Sequence, residues 1–261
     1  SDRPLSKKFK GGPKPVERWT EEEHIAYDKM ELNHVQEADK QFTVSKIPWK
    51  EGYKDKLKNN FEAVKKRQEA TLNPKSLAKK GIKIEQIQSI FDGYIEKNYI
   101  KEVPEDQWGE GWYLPFFCVV NLAKTTPIRP VFDAKAQFNK VSLNNQILNT
   151  PNLLNDTWPT LLHLRQFQYA MTGDISEMFL RIRLHEDDQK YHRFYFNGKV
   201  YQWTRILFGN TSSPNVSQKV IRDICDKYEH IYPVAVKYIR RWCYMDDAIA
   251  SSPTEEELKL L

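Results

Sequence analysis

The first hundred residues carry apolar side chains mainly at the three- and four-residue spacing of amphipathic helices. This pattern predicts helices over residues 17–40, 57–70 and 83–98. Thr20 and Glu23 occupy the two positions of a capping box, which predicts that Thr20 caps the first helix. Apolar stripes of this kind usually face a protein core, so we assign these helices no chemical role.

From about residue 112 the pattern changes to apolar and aromatic runs that are typical of β-strands. Single strands are predicted at residues 112–122, 128–134 and 167–175. Residues 192–204 predict a β-hairpin that turns on Asn197-Gly198, a dipeptide that favours the tightest hairpin turns. Because helices and strands are mixed without strict alternation, we predict the α+β class.

The C-terminal fifth of the chain predicts a helix, a second hairpin and the start of another helix. The first helix covers residues 213–230, and the hairpin covers residues 240–251. Ser252 is predicted to cap the last helix, with Glu255 closing its capping box.

The composition allows a sizeable core, and the net charge is unevenly distributed along the chain. Of 261 residues 40% are hydrophobic, enough for one large domain or two small ones. The net charge of +5 lies in residues 1–100, since the remaining residues carry 19 basic and 19 acidic side chains. This asymmetry is compatible with a bound polyanion, although a solvated lysine-rich surface is the simpler explanation. Residues 1–16, which are basic and rich in Pro and Gly, predict a flexible lead-in.

Cysteine usage and hydropathy indicate the setting of the protein. Cys118, Cys225 and Cys243 lack the spacing of a zinc site or a disulfide framework, which favours a reducing intracellular compartment. The sequence has no run of 18 apolar residues and no signal peptide, so we expect no membrane span. The chain begins without Met and stops at Leu261 within a helical pattern, so we expect a piece of a longer polypeptide.

Two adjacent carboxylates, Asp246 and Asp247, interrupt an apolar run that is predicted to turn at Met245-Asp246. Asp174 ends an apolar strand 72 residues earlier, and on a shared sheet Asp174 and Asp246 could hold one cation. Neighbouring strand residues point to opposite faces, so Asp246 and Asp247 reach one point only at a bend, or one of them has a secondary role. Carboxylates suit Mg²⁺, and two ions ~3.5–4 Å apart suit phosphoryl transfer. The alternative is a solvated turn.

The sequence Tyr-Met-Asp-Asp at residues 244–247 resembles the signature of reverse transcriptases, and other segments resemble the Bel/Pao class of LTR retrotransposon polymerases. These segments follow in order at residues 47–50, 112–120, 128–134, 142–156, 171–194 and 208–214. The resemblance covers roughly residues 45–257. It implies the fingers and palm of a right-hand polymerase, with an antiparallel palm sheet packed on helices. The implied parts are residues 1–44 as a basic lead-in and helix, 45–165 as mainly fingers, and 166–261 as mainly palm, truncated before a thumb.

The resemblance also implies roles for the acids. Asp174 and Asp246 would be direct metal ligands, assisted by the Ile175 carbonyl, and Asp247 would be a third catalytic carboxylate with a less direct metal contact. The implied cofactors are two Mg²⁺ ions, or Mn²⁺ in their place. Residues 185–192 also contain histidines and acids, but we expect a turn and a short helix there rather than a metal site.

Nucleotide-binding residues follow by the same matching. Phe179 matches the aromatic residue that screens the sugar 2′ position and selects deoxynucleotides, with plain core packing as the alternative. Arg129 matches the arginine that holds the incoming triphosphate, and Phe208 and Gly209 match the floor of the nucleotide pocket. Lys124 could supply a basic charge that the family carries three positions earlier.

The implied function is that of an RNA-directed DNA polymerase, which adds deoxynucleotides to a primer 3′-OH by two-metal-ion phosphoryl transfer. The implied partners are an RNA or DNA template with its primer, deoxynucleoside triphosphates, and a thumb and ribonuclease H beyond Leu261. The implied location is intracellular and cytoplasmic, in virus-like particles. The alternative is a non-catalytic nucleic-acid-binding or assembly fragment of a retroelement polyprotein.

Overall fold

The computed structural model describes residues 13–38, 40–121 and 127–260. The α-helices of these ranges are α1 (Glu21–Lys29), α2 (Tyr53–Lys56), α3 (Phe61–Thr71), α4 (Pro74–Ala78), α5 (Ile84–Glu96), α6 (Thr157–Leu164), α7 (Glu186–Gln189), α8 (Ser213–Tyr228), α9 (Pro233–Trp242) and α10 (Glu255–Lys259). None of these helices combines the length and the hydropathy that a membrane crossing requires.

The strands are short and distributed over several small sheets. In chain order they are β1 (Leu32–Glu37), β2 (Lys40–Ser45), β3 (Ile100–Glu102), β4 (Phe116–Val120), β5 (Ile128–Phe132), β6 (Tyr169–Asp174), β7 (Arg183–Leu184), β8 (Arg193–Phe196), β9 (Lys199–Trp203), β10 (Cys243–Tyr244) and β11 (Asp247–Ser252). This mixture of helices and sheets confirms the α+β prediction.

The chain forms two compact units, each built from separate stretches of sequence. Unit 1 comprises Ser1–His24, Pro151–Met178 and Pro214–Leu261, and unit 2 comprises Ile25–Thr150 and Phe179–Ser213. The boundaries given above for fingers and palm stay a prediction.

Unit 1 is built on an antiparallel sheet of order β10-β11-β6, and helices α6, α9 and α10 pack against β11. The register pairs Asp247 with Asp174 and Ser252 with Tyr169. The predicted flexible lead-in lies mostly outside the described residues. In its described end, Lys14 donates to the Asn152 carbonyl and to Glu23.

The core of unit 2 is a cluster of aromatic side chains around the completely buried Phe91 of α5. The Phe91 ring lies edge-on to Phe116 of β4 and Phe196 of β8, with centroids 5.4 and 5.0 Å away. Edge-to-face pairs of this kind stabilise a core beyond the burial of their area. The predicted helix over residues 83–98 is therefore confirmed, and its apolar face packs on strands.

Local signals in the sequence predicted several elements correctly. The capping box exists, with the Glu23 amide donating to Thr20 Oγ1 (3.2 Å) and the Thr20 amide donating to Glu23 Oε2 (2.7 Å). In the first predicted hairpin, Asn197 and Gly198 have φ of 49° and 80°, as its tight turn requires. The strands predicted from residue 112 onward are also present, with shorter bounds.

The helix predicted over residues 17–40 is wrong beyond Lys29. Residues 32–37 and 40–45 instead pair as an antiparallel hairpin, in which β-branched Val35 and Thr43 favour extended backbone. The helix predicted from residue 57 begins at Phe61.

Two predictions near the C-terminus are also wrong. Residues 240–242 continue α9 rather than starting the hairpin, because the Arg240 guanidinium bonds Asp226 of α8 and Glu229, which follows the end of α8. The last helix is capped by Thr254, whose Oγ1 accepts the Glu257 amide (3.3 Å), whereas Ser252 still pairs in β11.

Candidate functional site

Three carboxylates, those of Asp174, Asp246 and Asp247, lie together at one end of the unit 1 sheet. One carboxylate oxygen from each lies within 4.8 Å of the others, and all three side chains are exposed or half-buried. Asp174 ends β6 and Asp247 begins β11, and the register places these two residues opposite each other. In the part of the chain that the structure describes, this is the only such cluster of His, Cys, Asp or Glu groups.

The turn at Met245-Asp246 is what brings the adjacent acids to one place. Met245 has a φ of 55°, in the left-handed region, so the backbone bends sharply between β10 and β11. The Asp246 carbonyl then accepts the amide of Ile175 (2.8 Å), which ties the turn to the end of β6. Without this bend, Asp246 and Asp247 would point to opposite faces. The turn was predicted at this position and is confirmed.

Two amide side chains hold the turn from outside the sheet, and neither was predicted from the sequence. Gln218 of α8, which is 4% exposed, donates to the Met245 carbonyl (3.2 Å). Asn155 donates to the carbonyls of Cys243 (2.7 Å) and Arg240 (3.1 Å). Asn155 belongs to a segment that carried the family resemblance, but the sequence around it does not predict a hydrogen-bond partner 88 residues away.

The Ile175 carbonyl, which was predicted to assist metal binding, accepts the Met178 amide (3.1 Å). A carbonyl oxygen has two lone pairs, so this hydrogen bond leaves one lone pair for another ligand. The predicted metal contact of Ile175 therefore stays a prediction.

Four of the five predicted nucleotide-binding residues lie together in unit 2. The Arg129 guanidinium lies 4.8 Å from the centroid of the Phe208 ring. That ring meets Phe179 edge-on, with centroids 4.4 Å apart. Phe208 is 48% exposed and Phe179 only 2%. The fifth residue, Lys124, lies outside the described residues.

Gly209, the neighbour of Phe208, allows a close approach between two backbone segments. Its φ is +104°, and a Cβ built on it would lie 2.8 Å from the Phe132 carbonyl oxygen of β5. No L-residue fits there without strain or displacement. The loop that carries Phe208 is therefore pressed against β5 because residue 209 is glycine.

Two further side chains fix the same loop and were missed by sequence reasoning. Asn144 donates to the Gly209 carbonyl (2.8 Å) and accepts the Thr211 amide (3.0 Å). Asn210 donates to Nε2 of the buried His192 (2.8 Å). The loop is thus held by side-chain amides at residues 209 to 211.

The imidazole of His192 has one defined tautomer. Its Nδ1 lies 2.8 Å from the Asp188 carbonyl, which can only accept, so Nδ1 carries the proton and Nε2 is free to accept. Complete burial lowers the pKa of His192 to about 4. Burial also raises the pKa of the Asp188 carboxyl, which accepts the Ile47 amide and the Trp49 indole N–H. Residues 185–192 thus form a structural turn and the short α7, as predicted.

Comparisons with known proteins are consistent with this geometry. Residues 122–261 match the family model described as Reverse transcriptase (RNA-dependent DNA polymerase). The chain is 33% identical over 102 residues to an enzymatic polyprotein of Cassava vein mosaic virus, which covers 39% of this chain. It is 26% identical over 133 residues to the Gag-Pol polyprotein of Walleye dermal sarcoma virus, which covers 50% of this chain.

A solved structure, that of the foamy viral protease-reverse transcriptase in complex with dsDNA, aligns with 67% of this chain at a TM-score of 0.51 and 21% identity. This likeness shows a shared fold. The chain spans 14% and 7% of the lengths of the two viral polyproteins and 32% of the foamy viral chain.

Proposed function

The chain belongs to the reverse transcriptase (RNA-dependent DNA polymerase) family, and we propose that it adds deoxynucleotides to the 3′-OH of a primer paired with an RNA or DNA template. The observation that carries this proposal is the meeting of Asp174, Asp246 and Asp247, although the first is far from the others in sequence. The alternative of a solvated Asp-Asp turn gives no reason for the third carboxylate to lie beside it.

The donor set suits a divalent cation. Carboxylate oxygens are the hard ligands that Mg²⁺ and Mn²⁺ prefer, and here three of them converge within reach of solvent. Asp174 and Asp246 would hold the metal directly, with Asp247 and the Ile175 carbonyl beside them. Two such ions, when bound, would activate the primer hydroxyl and neutralise charge on the reacting phosphate.

The backbone of this site is preorganised by groups of the chain itself. The amide of Ile175 and the side chains of Gln218 and Asn155 fix the turn before any substrate binds. A carboxylate carried by a fixed turn needs little reorganisation when charge develops at the reacting phosphate, which is the arrangement that lowers a barrier most effectively.

In unit 2, we propose that Arg129 binds the triphosphate and that Phe179 screens the sugar 2′ position. A guanidinium offers paired N–H donors that match phosphate oxygens. Phe179 is almost fully buried against Phe208, so a nucleotide would reach Phe179 only after a shift of the Phe208 ring. Phe208 and Gly209 would then form the floor of the nucleotide pocket. Lys124 keeps its proposed charge-supplying role.

The proposal is tested by extension of a DNA primer on an RNA template, with Mg²⁺ varied. Asp246→Asn removes one charge at constant shape, and we expect a rate at least ~100-fold lower because a metal ligand is lost. Asp156→Asn, in the same unit, is the matched control. Asp156 caps α6 by accepting the Trp158 amide, and Asn caps equally well.

Equal extension by wild type and Asp246→Asn would overturn the role of Asp246. Absence of any extension, together with binding of an RNA–DNA hybrid that dNTP leaves unchanged, would support the non-catalytic alternative instead.

Two finer proposals concern the source of the chain and the domains that act with it. We propose a Bel/Pao-type element as the source, from the ordered segments between residues 45 and 257. We also propose that a thumb and a ribonuclease H of the same polyprotein act with this chain in cytoplasmic virus-like particles. The support for this is that the two curated relatives are viral polyproteins.

A further inference from the structure

Unit 2 contains a cavity of about 370 Å³ that the proposed polymerase site does not use. It lies where the β1–β2 hairpin faces β7, the start of α7 and the chain around residues 98–101. Side chains that can donate hydrogen bonds or carry positive charge line its wall, among them Asn98, Lys101, Arg183, His185 and Arg205.

Arg205 is the unusual member of this wall. It is 6% exposed, and neither its Nε nor its Nη1 has a hydrogen-bond partner among the described residues. The guanidinium carbon lies 5.6 Å from the centroid of the Phe42 ring and 5.7 Å from that of Tyr99, and these rings attract its charge but leave its Nε and Nη1 donors unfilled. Buried donors without acceptors are costly and rare in proteins.

The neighbouring Arg183 places a second positive charge near Arg205. Its guanidinium forms two hydrogen bonds with the Glu37 carboxylate and stacks at 3.8 Å on the Phe42 ring. Glu37 is therefore engaged by Arg183, while both guanidiniums contact the same Phe42 ring. Burial lowers the pKa of Arg205, and the charge of Arg183 lowers it further.

The fixed charges of the cavity wall leave an excess of cations. The wall carries three cations, Lys101, Arg183 and Arg205, against two carboxylates, Glu37 and Glu186. A bound anion would accept from the unfilled donors of Arg205 after a small rotation of its guanidinium, and it would offset the repulsion between the two arginines. Both effects favour the binding of an anion.

We propose that this cavity binds an oxyanion of the phosphate class, with Arg205 as its main donor. Two guanidiniums and an ammonium suit an anion with several equivalent oxygens, and a guanidinium fork matches two of those oxygens at once. The phosphate can come from free phosphate or from the backbone of a nucleic-acid strand. This site is independent of the carboxylates of unit 1 and does not rest on the polymerase proposal.

The first test is thermal unfolding of the whole chain in increasing potassium phosphate, with ionic strength held constant by KCl. At about ten times the Kd we expect the Tm to rise by about 3–5 °C, and above the Kd the rise should follow the logarithm of the phosphate concentration. Arg205→Met keeps the apolar stem and should abolish the rise. Arg165→Met, an exposed arginine after α6 in unit 1, removes the same charge elsewhere and should keep it.

Because Arg205→Met could fail to fold, calorimetric titration of wild type with phosphate is the second measurement, and Lys101→Met, a change at an exposed position, is the second variant. We expect Lys101→Met to weaken phosphate binding several-fold. An absence of saturable binding in wild type, or equal Tm rises in wild type and Arg205→Met, would overturn the site.

A single-stranded RNA without terminal phosphates separates the two sources of phosphate. If it raises the Tm of wild type but not of Arg205→Met, the site takes a backbone phosphodiester. If only inorganic phosphate does so, the site takes free phosphate.

Discussion

Substitution of Gly209 by alanine gives a direct test of how the loop that carries Phe208 is held. The new Cβ faces two costs in the observed position. A φ of +104° strains an L-residue by about 1–3 kcal/mol. The carbon would also lie 2.8 Å from the Phe132 carbonyl oxygen, and overpacking of this kind typically costs about 1–3 kcal/mol more.

The loop can avoid part of this cost by moving. It is held by the two hydrogen bonds of Asn144 and the bond from Asn210 to His192, each worth about 0.5–1.5 kcal/mol. Since these bonds are no stronger than the strain, we expect the loop to shift and to carry Phe208 away from Arg129 and Phe179. Gly209→Ala should therefore lower the free energy of unfolding by about 2–4 kcal/mol and raise the KM for dNTP about tenfold.

Gly198→Ala is the matched control for this experiment. Gly198 also has a positive φ, of +80°, but no atom lies within 4 Å of a Cβ built on it. The control therefore carries backbone strain without the clash and should cost about 1 kcal/mol, with the KM for dNTP unchanged.

Urea unfolding gives the two free energies, and primer extension at varied dNTP gives the two KM values. If Gly209→Ala loses no more stability than Gly198→Ala, the close approach to Phe132 does not constrain the loop. If Gly209→Ala loses stability while KM stays constant, the loop has no part in nucleotide binding.

Two further predictions concern the same unit. Asn144→Ala removes both of its hydrogen bonds to the loop, so we expect a raised KM for dNTP with little change in kcat. Asn145→Ala, at the exposed neighbouring position, should leave both constants unchanged. Steady-state primer extension measures these constants. The pKa of His192 lies at about 4 in the folded protein, below its ordinary value, so the unfolded chain binds the proton first as pH falls. The free energy of unfolding in urea should therefore drop by about 2 kcal/mol between pH 7 and pH 5. His192→Gln should make the free energy of unfolding nearly independent of pH in this range. An unchanged pH dependence in the variant would contradict the lowered pKa of His192.

The sequence by itself determined those features whose physical cause lies within a few residues. The capping box of Thr20 and Glu23 and the turn at Asn197-Gly198 are local in this sense, because a hydrogen bond or a backbone preference spans at most four positions. The two strands that carry the candidate acids were also predictable, since Asp174 and Asp246 each follow an apolar run.

Only the tertiary structure decided which distant groups meet. The side-chain amides of Asn144 and Asn155 hold the Phe208 loop and the chain that leads into the Met245-Asp246 turn. They hydrogen-bond to backbone 65 to 88 residues away, and no periodicity in the sequence encodes such a partner. The same holds for Arg240, whose acidic partners in and just after α8 extend α9 into the predicted hairpin, and for Arg205, whose burial leaves donors unfilled. Local sequence fixes backbone preference over a few residues, whereas burial and long-range hydrogen bonds depend on which surfaces the folded chain brings together.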